Sequence, residues 1–174
     1  TTEYNEADKV MIGKSFVAPW QGGFGTSVTW KGWGVSTQFA WVANRWMFNN
    51  DRFFEESNGL YTVYNQSKRL YYDRWKKPGD VTDIPRYGVT PQMDSRFLED
   101  ASFLRMKNLI VQYSLPEKWM KATKGIQNAK VFFVGRNLFT ATKFSGYDPE
   151  PDINLVKFNY PNTRQFVFGM ELTF

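Results

Sequence analysis

Apolar and polar or small side chains alternate along residues 165–174 without interruption. A period of two places successive side chains on opposite faces of an extended strand. One face would carry Phe166, Phe168, Met170, Leu172 and Phe174, and the other Gln165, Val167, Gly169, Glu171 and Thr173. The pattern predicts a β-strand with one strongly apolar face.

Four earlier segments alternate in the same way and predict further strands, at residues 22–30, 34–44, 103–116 and 129–139. The first two are joined by a short glycine-containing turn at 31–33, which predicts a hairpin. In 129–139 apolar residues occupy both faces, so the period leaves open which face is buried. The five segments predict an all-β, antiparallel fold.

Short and long connectors alternate between these strands. Those at 31–33 and 117–128 are short, the second with room for a helical turn, whereas those at 49–100 and 140–163 are long. Transmembrane β-barrels have short turns on the periplasmic side and long loops on the outer side. The connectors therefore predict a barrel with both long loops outside.

Aromatic residues make up 18% of the chain, and several lie at strand ends. In a barrel, Trp30, Trp33 and Trp119 would lie near the inner membrane boundary and Trp46 and Phe48 near the outer one. Aromatic residues at strand ends also cap soluble sandwiches, which is the alternative interpretation.

The composition excludes several kinds of chemistry. Histidine and cysteine are absent, so disulfides, the usual zinc sites and Ser-His or Cys-His catalysis are excluded. We expect no enzyme and no cofactor. A net charge of +5 permits a polyanionic partner, but the basic residues form no nucleic-acid-binding motif. No apolar run is long enough for a transmembrane helix, and the first residues lack the features of a signal peptide.

Several long segments resemble one transporter family. In chain order they are IGKSFVAPWQGGFGTSVTWKG, NNDRFF, RWKKPGDVTDIPRYG, DSRFLEDASFLRMKNLIVQYSLPEKW, VFFVGRNLFTATKFSGYDPEPD and YPNTRQFVFGMELTF. They are similar to the C-terminal end of the SusC-like TonB-dependent transporters of the Bacteroidetes outer membrane. The resemblance covers almost the whole chain.

The resemblance implies a barrel of about twenty-two antiparallel strands plugged by an N-terminal domain. Residues 1–174 would supply roughly the last five strands, with the plug and the remaining barrel outside this chain. The implied partners are a SusD-like surface lipoprotein, the TonB-ExbB-ExbD complex acting through the plug, the lipid bilayer and lipopolysaccharide, with no nucleic acid. The implied activity is the import of oligosaccharides or peptides.

An open sheet in hydrocarbon would leave unpaired backbone groups along both of its edges. Each such group costs several kcal/mol, so these strands must pair with another part of a barrel. We expect either a C-terminal fragment of a longer receptor or one half of a split transporter, and we favour the fragment.

Polar residues of the barrel wall are expected to face the lumen, where they meet plug or solute. They are Gln38, Asn44, Gln112, Arg136, Gln165 and Glu171. Plug contact is the preferred interpretation for Glu171. In outer-membrane barrels an apolar last strand with a terminal aromatic residue is the signal for assembly, a role carried over here to Phe166, Phe168, Met170, Leu172 and Phe174. A lipid-facing stripe is the alternative interpretation of the same residues.

Two connector segments contain candidate binding residues. Tyr71, Tyr72, Arg74 and Trp75, together with Tyr147, are candidates for contacts with solute or partner, although lipid phosphates could also bind such residues. Asp148, Glu150 and Asp152 supply oxygen ligands suited to calcium, but their spacing fits no EF-hand and the intervening prolines fit an ordinary turn.

Two adjacent carboxylate pairs occur, Glu55 with Glu56 and Glu99 with Asp100. Adjacency does not establish the separation across a cleft that a glycosidase needs. A soluble carbohydrate-binding β-sandwich and a nucleic-acid-binding β-domain stay open as alternatives, and the sandwich would need a second sheet to cover the apolar face.

Overall fold

The computed structural model describes residues 5–89, 91–120, 125–156 and 158–174. Parts of the predicted connectors, namely 121–124, Thr90 and Lys157, lie outside the described residues, as do residues 1–4. The chain divides into two compact units. A sheet unit contains residues 20–43, 102–142 and 161–174, and a loop unit contains the rest.

The described ranges contain seven strands and three short α-helices. They are β1 Trp20–Trp30, β2 Trp33–Ala43, β3 Trp46–Phe48, α1 Asn50–Glu55, α2 Arg69–Tyr72, β4 Leu98–Asp100, β5 Phe103–Ser114, α3 Glu117–Met120, β6 Asn128–Thr142 and β7 Gln165–Thr173. Among the described residues, no helix combines the length and apolar character needed for a transmembrane span.

The sheet unit is one antiparallel sheet of five strands in the order β1-β2-β5-β6-β7. The prediction of five long antiparallel strands is confirmed, and their observed bounds lie within three residues of the predicted ones. The predicted helical turn after β5 is present as α3. Within the described part of the chain, no strand pairs with the outer edge of β1 or of β7.

The hairpin between β1 and β2 turns on two residues, because Trp33 already belongs to β2. Lys31 and Gly32 both have positive φ, 47° and 88°. Two central residues with positive φ characterise the tight hairpin turn whose twist matches that of the strands, and glycine adopts that conformation without steric cost.

Strand register places most large apolar side chains of the sheet on one side, here called the apolar face. Phe133 lies opposite both Val111 and Phe168, which settles the face of the ambiguous fourth strand. The larger apolar residues on this face are Trp20, Phe24, Val28, Trp30, Trp33, Val35, Phe39, Trp41, Leu104, Met106, Leu109, Val111, Tyr113, Val131, Phe133, Phe139, Phe166, Phe168, Met170 and Leu172.

A β-bulge keeps the apolar face continuous across a change of parity in β5. Asn108 pairs with Arg136 and Met106 with Phe139, so two residues of β6 lie opposite Lys107. Asn137, one of the two, has a positive φ of 52°. On the other side of β5, Asn108 pairs with Gln38 and Met106 with Phe39, so Lys107 is an extra residue relative to β2. This second bulge lets Met106 and Leu109 lie on the same face although their numbers differ in parity.

The opposite side of the sheet, here called the mixed face, combines polar, small and some apolar residues. Phe132 lies opposite Gly169 on this face. A Cβ atom on Gly169 would lie 2.3 Å from the Phe132 ring, so glycine makes room for that ring.

Aromatic side chains lie at both ends of the apolar face. Trp33 pairs with Trp30 at the turn and its ring lies 4.8 Å from that of Tyr113. Trp20 and Trp41 lie toward the other end. Trp46 and Phe48 form β3 in the loop unit, and their location near the outer membrane boundary stays a prediction.

The loop unit has its own small core. β3 and β4 pair antiparallel, and Phe48 also forms a parallel bridge to Leu155. The buried side chains of Met47, Ala101, Phe144 and Val156 pack together in this core. The long connectors are therefore folded, although their sequences show no long period.

Candidate functional site

An open cleft of about 660 Å³ in the loop unit is lined largely by charged side chains. Its lining residues come from α1, from β3 and β4, and from residues 67–83 and 143–147. The charged ones are Asp51, Arg52, Glu55, Glu56, Arg69, Asp83, Glu99, Asp100 and Lys143. Acidic groups outnumber basic groups in this set.

Asn49 fixes the first turn of the helix that lines the cleft. Its side-chain oxygen accepts a hydrogen bond from the Arg52 N–H at 3.0 Å, which is the N-cap arrangement. Its amide nitrogen donates to Glu99 Oε1 at 3.3 Å and to Ser145 Oγ at 3.0 Å. Asn49 is only 1% exposed, and its hydrogen bonds connect α1, β4 and the segment at 143–147.

Arg52 lies at the centre of an ionic cluster, defined here as Arg52, Glu56, Arg69, Asp83 and Glu99. Arg52 Nε donates to Glu56 Oε1 at 3.0 Å, one nitrogen of its fork donates to Glu99 at 3.2 Å, and the other donates to Asp83 at 2.6 Å. Arg69 forms salt bridges with two of these three carboxylates, Glu56 and Asp83. Two arginines are thus shared among three acids.

The electrostatics of Asp83 follow from these contacts. Burial alone would raise the pKa of its carboxyl group, but the guanidinium groups of Arg69 and Arg52 outweigh burial and lower the pKa below its usual value. Asp83 is therefore ionised at neutral pH.

Asp51 and Glu55, here called the acidic pair, lie on the same helix but outside the ionic cluster. Asp51 Oδ1 accepts a hydrogen bond from the Phe158 N–H at 2.6 Å, while Oδ2 is buried and has no hydrogen-bond partner in the described ranges. Burial raises the pKa of Asp51, partly offset by the bond from Phe158. The Tyr147 hydroxyl donates to Glu55 Oε1 at 3.1 Å, and this bond raises the pKa of Tyr147.

Of the predicted connector contacts, only Tyr147 lines the cleft. Tyr71 and Tyr72 are exposed and meet edge to face, with ring centroids 5.0 Å apart. The Arg74 guanidinium lies 5.5 Å from the Tyr87 ring centroid, and the Trp75 N–H donates to the Ile84 carbonyl at 3.0 Å. These four residues belong to the loop unit but do not line the cleft. Their contacts with solute or partner stay a prediction.

The calcium candidate contains a cation from the chain itself. Arg45, only 6% exposed, donates to the Pro149 carbonyl, and the negative charges of Asp152, Glu150 and Asp148 partly offset the lowering of its pKa by burial. Asp148 Oδ1 accepts a hydrogen bond from the Glu150 N–H at 2.9 Å, as in an ordinary turn. Among the described residues, no three acidic side chains are placed to hold a metal ion.

Most predicted lumen residues lie on the mixed face of the sheet. Gln38 and Arg136 belong to one row of directly opposed residues that crosses four strands, Gln38-Asn108-Arg136-Gln165. Asn108 donates to Gln38 Oε1 at 2.8 Å within that row.

The remaining lumen predictions divide into two strand residues and one turn residue. Gln112 pairs with Gly34, and Glu171 pairs with Lys130 through a salt bridge of 2.8 Å. Asn44 lies beyond the end of β2, has a positive φ of 58° and accepts a hydrogen bond from the Trp46 indole. Asn44 is therefore a turn residue of the loop unit rather than a residue of the sheet.

The residues of the predicted assembly signal lie on the apolar face and at the terminus. Phe166, Phe168 and Met170 are 61%, 78% and 63% exposed. Leu172 shares this face, and Phe174 follows the last residue of β7. Their role in assembly stays a prediction.

The ionic cluster is the part of the site that sequence reasoning missed. In the sequence, Glu56 and Glu99 stand out only as members of adjacent acidic pairs. The spacing of Arg52 and Glu56 by four residues within a short helix was the available signal, since such residues are neighbours on a helix surface. The contacts of Arg52 with Asp83 and Glu99 are long-range and have no sequence pattern.

Comparison with known proteins connects this geometry to one family. No family model matches the chain. TonB-dependent receptor P3 of Formosa agariphila is 34% identical over 113 residues, which are 58% of this chain and 11% of that receptor. TonB-dependent receptor SusC of Bacteroides thetaiotaomicron is 34% identical over 88 residues, which are 50% of this chain and 9% of that receptor.

A solved structure is similar over the full length of the chain. One chain of the RagAB peptide transporter has a TM-score of 0.89 and 40% identity over 100% of this chain and 19% of that chain. The RagAB peptide importer in its open-open state gives a TM-score of 0.88 at the same identity. This chain therefore spans about a fifth of its structural relative and less of the curated receptors. The shared sequence and the shared fold show that the chain belongs to the SusC-like TonB-dependent receptors.

Proposed function

We propose that this chain forms the last five strands of the barrel of a SusC-like outer-membrane transporter. The remaining strands, the plug and the TonB-contacting segment would come from the rest of the receptor. The complete transporter would import oligosaccharides or peptides together with a SusD-like lipoprotein, with energy supplied by TonB-ExbB-ExbD.

The observation that carries this proposal is the one-sided exposure of large apolar side chains on the sheet. On the apolar face, Trp20, Phe24 and Val28 are 67%, 56% and 62% exposed, and the aromatic residues of β7 are similarly exposed. Fully burying one such side chain is worth about 1.5–3 kcal/mol. An apolar surface extending over five strands is costly in water and favourable against lipid chains.

The mixed face fits the lumen side of such a wall. Alternation of lipid-facing and lumen-facing residues is the pattern of membrane barrels, whose interiors are polar. The row from Gln38 to Gln165 and the Lys130–Glu171 salt bridge provide polar groups on that side. We infer that Gln38, Gln112, Arg136, Gln165 and Glu171 face plug or solute.

The open edges of β1 and β7 support a larger barrel. Unpaired backbone groups in hydrocarbon cost several kcal/mol each, so membrane-spanning strands require closed pairing. Strands of 11 and 9 residues at these edges match the length of a tilted membrane-spanning strand. The edges would pair with other strands of the same receptor.

The solute class draws support from one named relative. The structural neighbour is a peptide importer by its title. That description favours peptides for this transporter, with oligosaccharides as the second candidate. The soluble β-sandwich alternative would require a second sheet over Phe166 and Phe168, and these side chains are exposed instead.

Uptake measurements test the proposal. In the bacterium that makes this receptor, we would delete the receptor gene or tonB and measure uptake of labelled oligopeptide and oligosaccharide pools. Each deletion should abolish uptake of the same solute pool. The intact receptor gene should restore uptake, whereas a copy lacking residues 20–43 should not, because the barrel would lose a hairpin. Unchanged uptake in both deletions, with this segment recovered in the detergent-free fraction, would contradict the proposal.

A further inference from the structure

The acidic pair differs from the ionic cluster in having no cationic side-chain partner among the described residues. Among the described residues lining the cleft, Arg52 and Arg69 bond Glu56, Asp83 and Glu99, and Lys143 forms no ion pair with the acidic pair. Asp51 is 2% exposed, and its Oδ2 atom has no hydrogen-bond partner among the residues that the structure describes. In the part of the chain that the structure describes, the one side-chain partner of the Glu55 carboxylate is the Tyr147 hydroxyl. Within the described part of the chain, neither carboxylate of the acidic pair therefore has a cationic side-chain partner.

An exposed aromatic surface adjoins the acidic pair. The Phe158 N–H is bonded to Asp51, and the Phe158 ring stacks on Tyr64 with centroids 5.4 Å apart and planes 7° from parallel. Phe158 and Tyr64 are 43% and 40% exposed. Phe158 has a φ of 43°, which is rare for an aromatic residue, and the bond to buried Asp51 holds it there.

Carboxylates and aromatic ring faces attract the same kind of ligand. A carboxylate forms strong, charge-assisted hydrogen bonds with ammonium and guanidinium groups. The negative face of an aromatic ring attracts the same cations. The acidic pair and the neighbouring rings thus provide both kinds of cation-binding group, and no described cationic side chain is paired with the two carboxylates.

We propose that Glu55 and Tyr147 bind a cationic group of an imported peptide, either an ammonium or a guanidinium, at the cleft beside the residues that hold the Phe158–Tyr64 rings. Glu55 and Tyr147 would contact the cation, because Glu55 is half-buried and Tyr147 is 61% exposed. Asp51 is a positioning residue, since its hydrogen bond from the Phe158 N–H holds Phe158 in place. The proposal rests on the proposed transport function.

Binding of three matched peptides to the complete receptor tests the proposal. The probes are tetra-alanine amide with a free amino group, its N-acetylated form, and an N-acetylated tetrapeptide amide with one lysine among alanines. Calorimetry should show that the two cationic probes bind roughly ten- to a hundredfold more tightly than the neutral probe. A preference for only one cationic probe also supports the site and identifies whether it takes the terminal amine or the side chain.

The variant Glu55→Gln should remove this preference while leaving the affinity for the neutral probe unchanged. Glutamine can still accept the Tyr147 hydrogen bond, so the local structure is retained. Glu117→Gln is the matched control, because it removes an exposed acid outside the loop unit and should leave the preference intact. Asp51→Asn should weaken the preference less than Glu55→Gln, because asparagine keeps the acceptor for the Phe158 N–H.

Equal binding of all three probes by the unmodified receptor would overturn the cationic site, and so would a preference that survives in Glu55→Gln. The comparison of probes on the unmodified receptor decides the matter even where a variant fails to assemble. TonB-dependent uptake in the same cells reports separately on transport. A receptor that imports solute but shows no charge preference overturns only this site, whereas one that does neither overturns the transport proposal too.

Discussion

Arg52 shows how much of the loop unit depends on single side chains. Its guanidinium donates to Glu56, Asp83 and Glu99 and also to the Arg96 carbonyl. Glu56 is only 2% exposed, so its charge has little access to water. A buried carboxylate that loses an arginine keeps its desolvation cost without the compensating bonds.

Replacing Arg52 with methionine should therefore loosen the loop unit. We expect a loss of about 3 kcal/mol in local stability, because removing one partner of a buried ion pair is strongly destabilising. Arg69 still bonds Glu56 and Asp83, which places the loss at the lower end of the usual range. Amide hydrogen exchange of α1 in the complete receptor should become roughly a hundredfold faster.

The control is Arg86→Met, which removes an exposed arginine outside the ionic cluster and should leave α1 exchange unchanged. If Arg52→Met and Arg86→Met exchanged at the same rate, the ionic cluster would contribute nothing to the stability of this region.

At the level of residues, only part of the candidate site could be predicted from the sequence. Tyr147 could be singled out because an aromatic residue next to acids in a long connector suggests binding. The bond of Asn49 to the start of α1 follows a known capping preference. The bond between Arg52 and Asp83 joins residues 31 positions apart and depends on how the connector folds, which no local pattern encodes.

At the level of elements, long strands were predictable and short ones were not. Alternation over nine or more residues identifies a strand and its faces, and β7 follows its alternation from Gln165 to Thr173. β3 and β4 have three residues each, and α1 has six, so none is long enough to show a period. The fourth strand was ambiguous because Phe132 fills the space over Gly169 on the mixed face.

The terminal strand provides a prediction about assembly. Phe174 follows β7 and is 77% exposed, so it contributes little to the packing of this chain. If β7 and Phe174 form the assembly signal, Phe174→Ser in the complete receptor should lower the amount of folded barrel several-fold without changing solute preference. The amount of heat-modifiable barrel in isolated outer membranes measures this.

Thr173→Ser, a conservative change at the neighbouring position, is the matched control and should leave assembly at the normal level. A normal amount of barrel in Phe174→Ser would leave these residues with only the role of a lipid-facing stripe.

At the level of the whole molecule, the sheet unit and the loop unit have different chemistry. The sheet unit exposes apolar side chains on one face and presents polar rows on the other. The loop unit is instead held by buried ion pairs and a small apolar core. The two units are therefore suited to different surroundings, the apolar face of the sheet unit to lipid and the charged loop unit to water.

The central claim is that the apolar face of the sheet contacts lipid while the mixed face contacts the lumen. Single cysteines test it cleanly in this segment, because the chain contains none. In a complete receptor without other cysteines, we would introduce cysteine in turn at Gln165, Val167, Phe166 and Phe168 of β7. Intact cells would be treated with a membrane-impermeant maleimide, and a denatured sample would give the total amount of reactive thiol.

We predict labelling at Gln165 and Val167 and protection at Phe166 and Phe168, with all four cysteines reacting after denaturation. Such alternation between adjacent residues at the same depth requires a strand with one face in lipid. Equal labelling at Phe168 and Val167 in intact cells would contradict the assignment of these strands to a membrane wall.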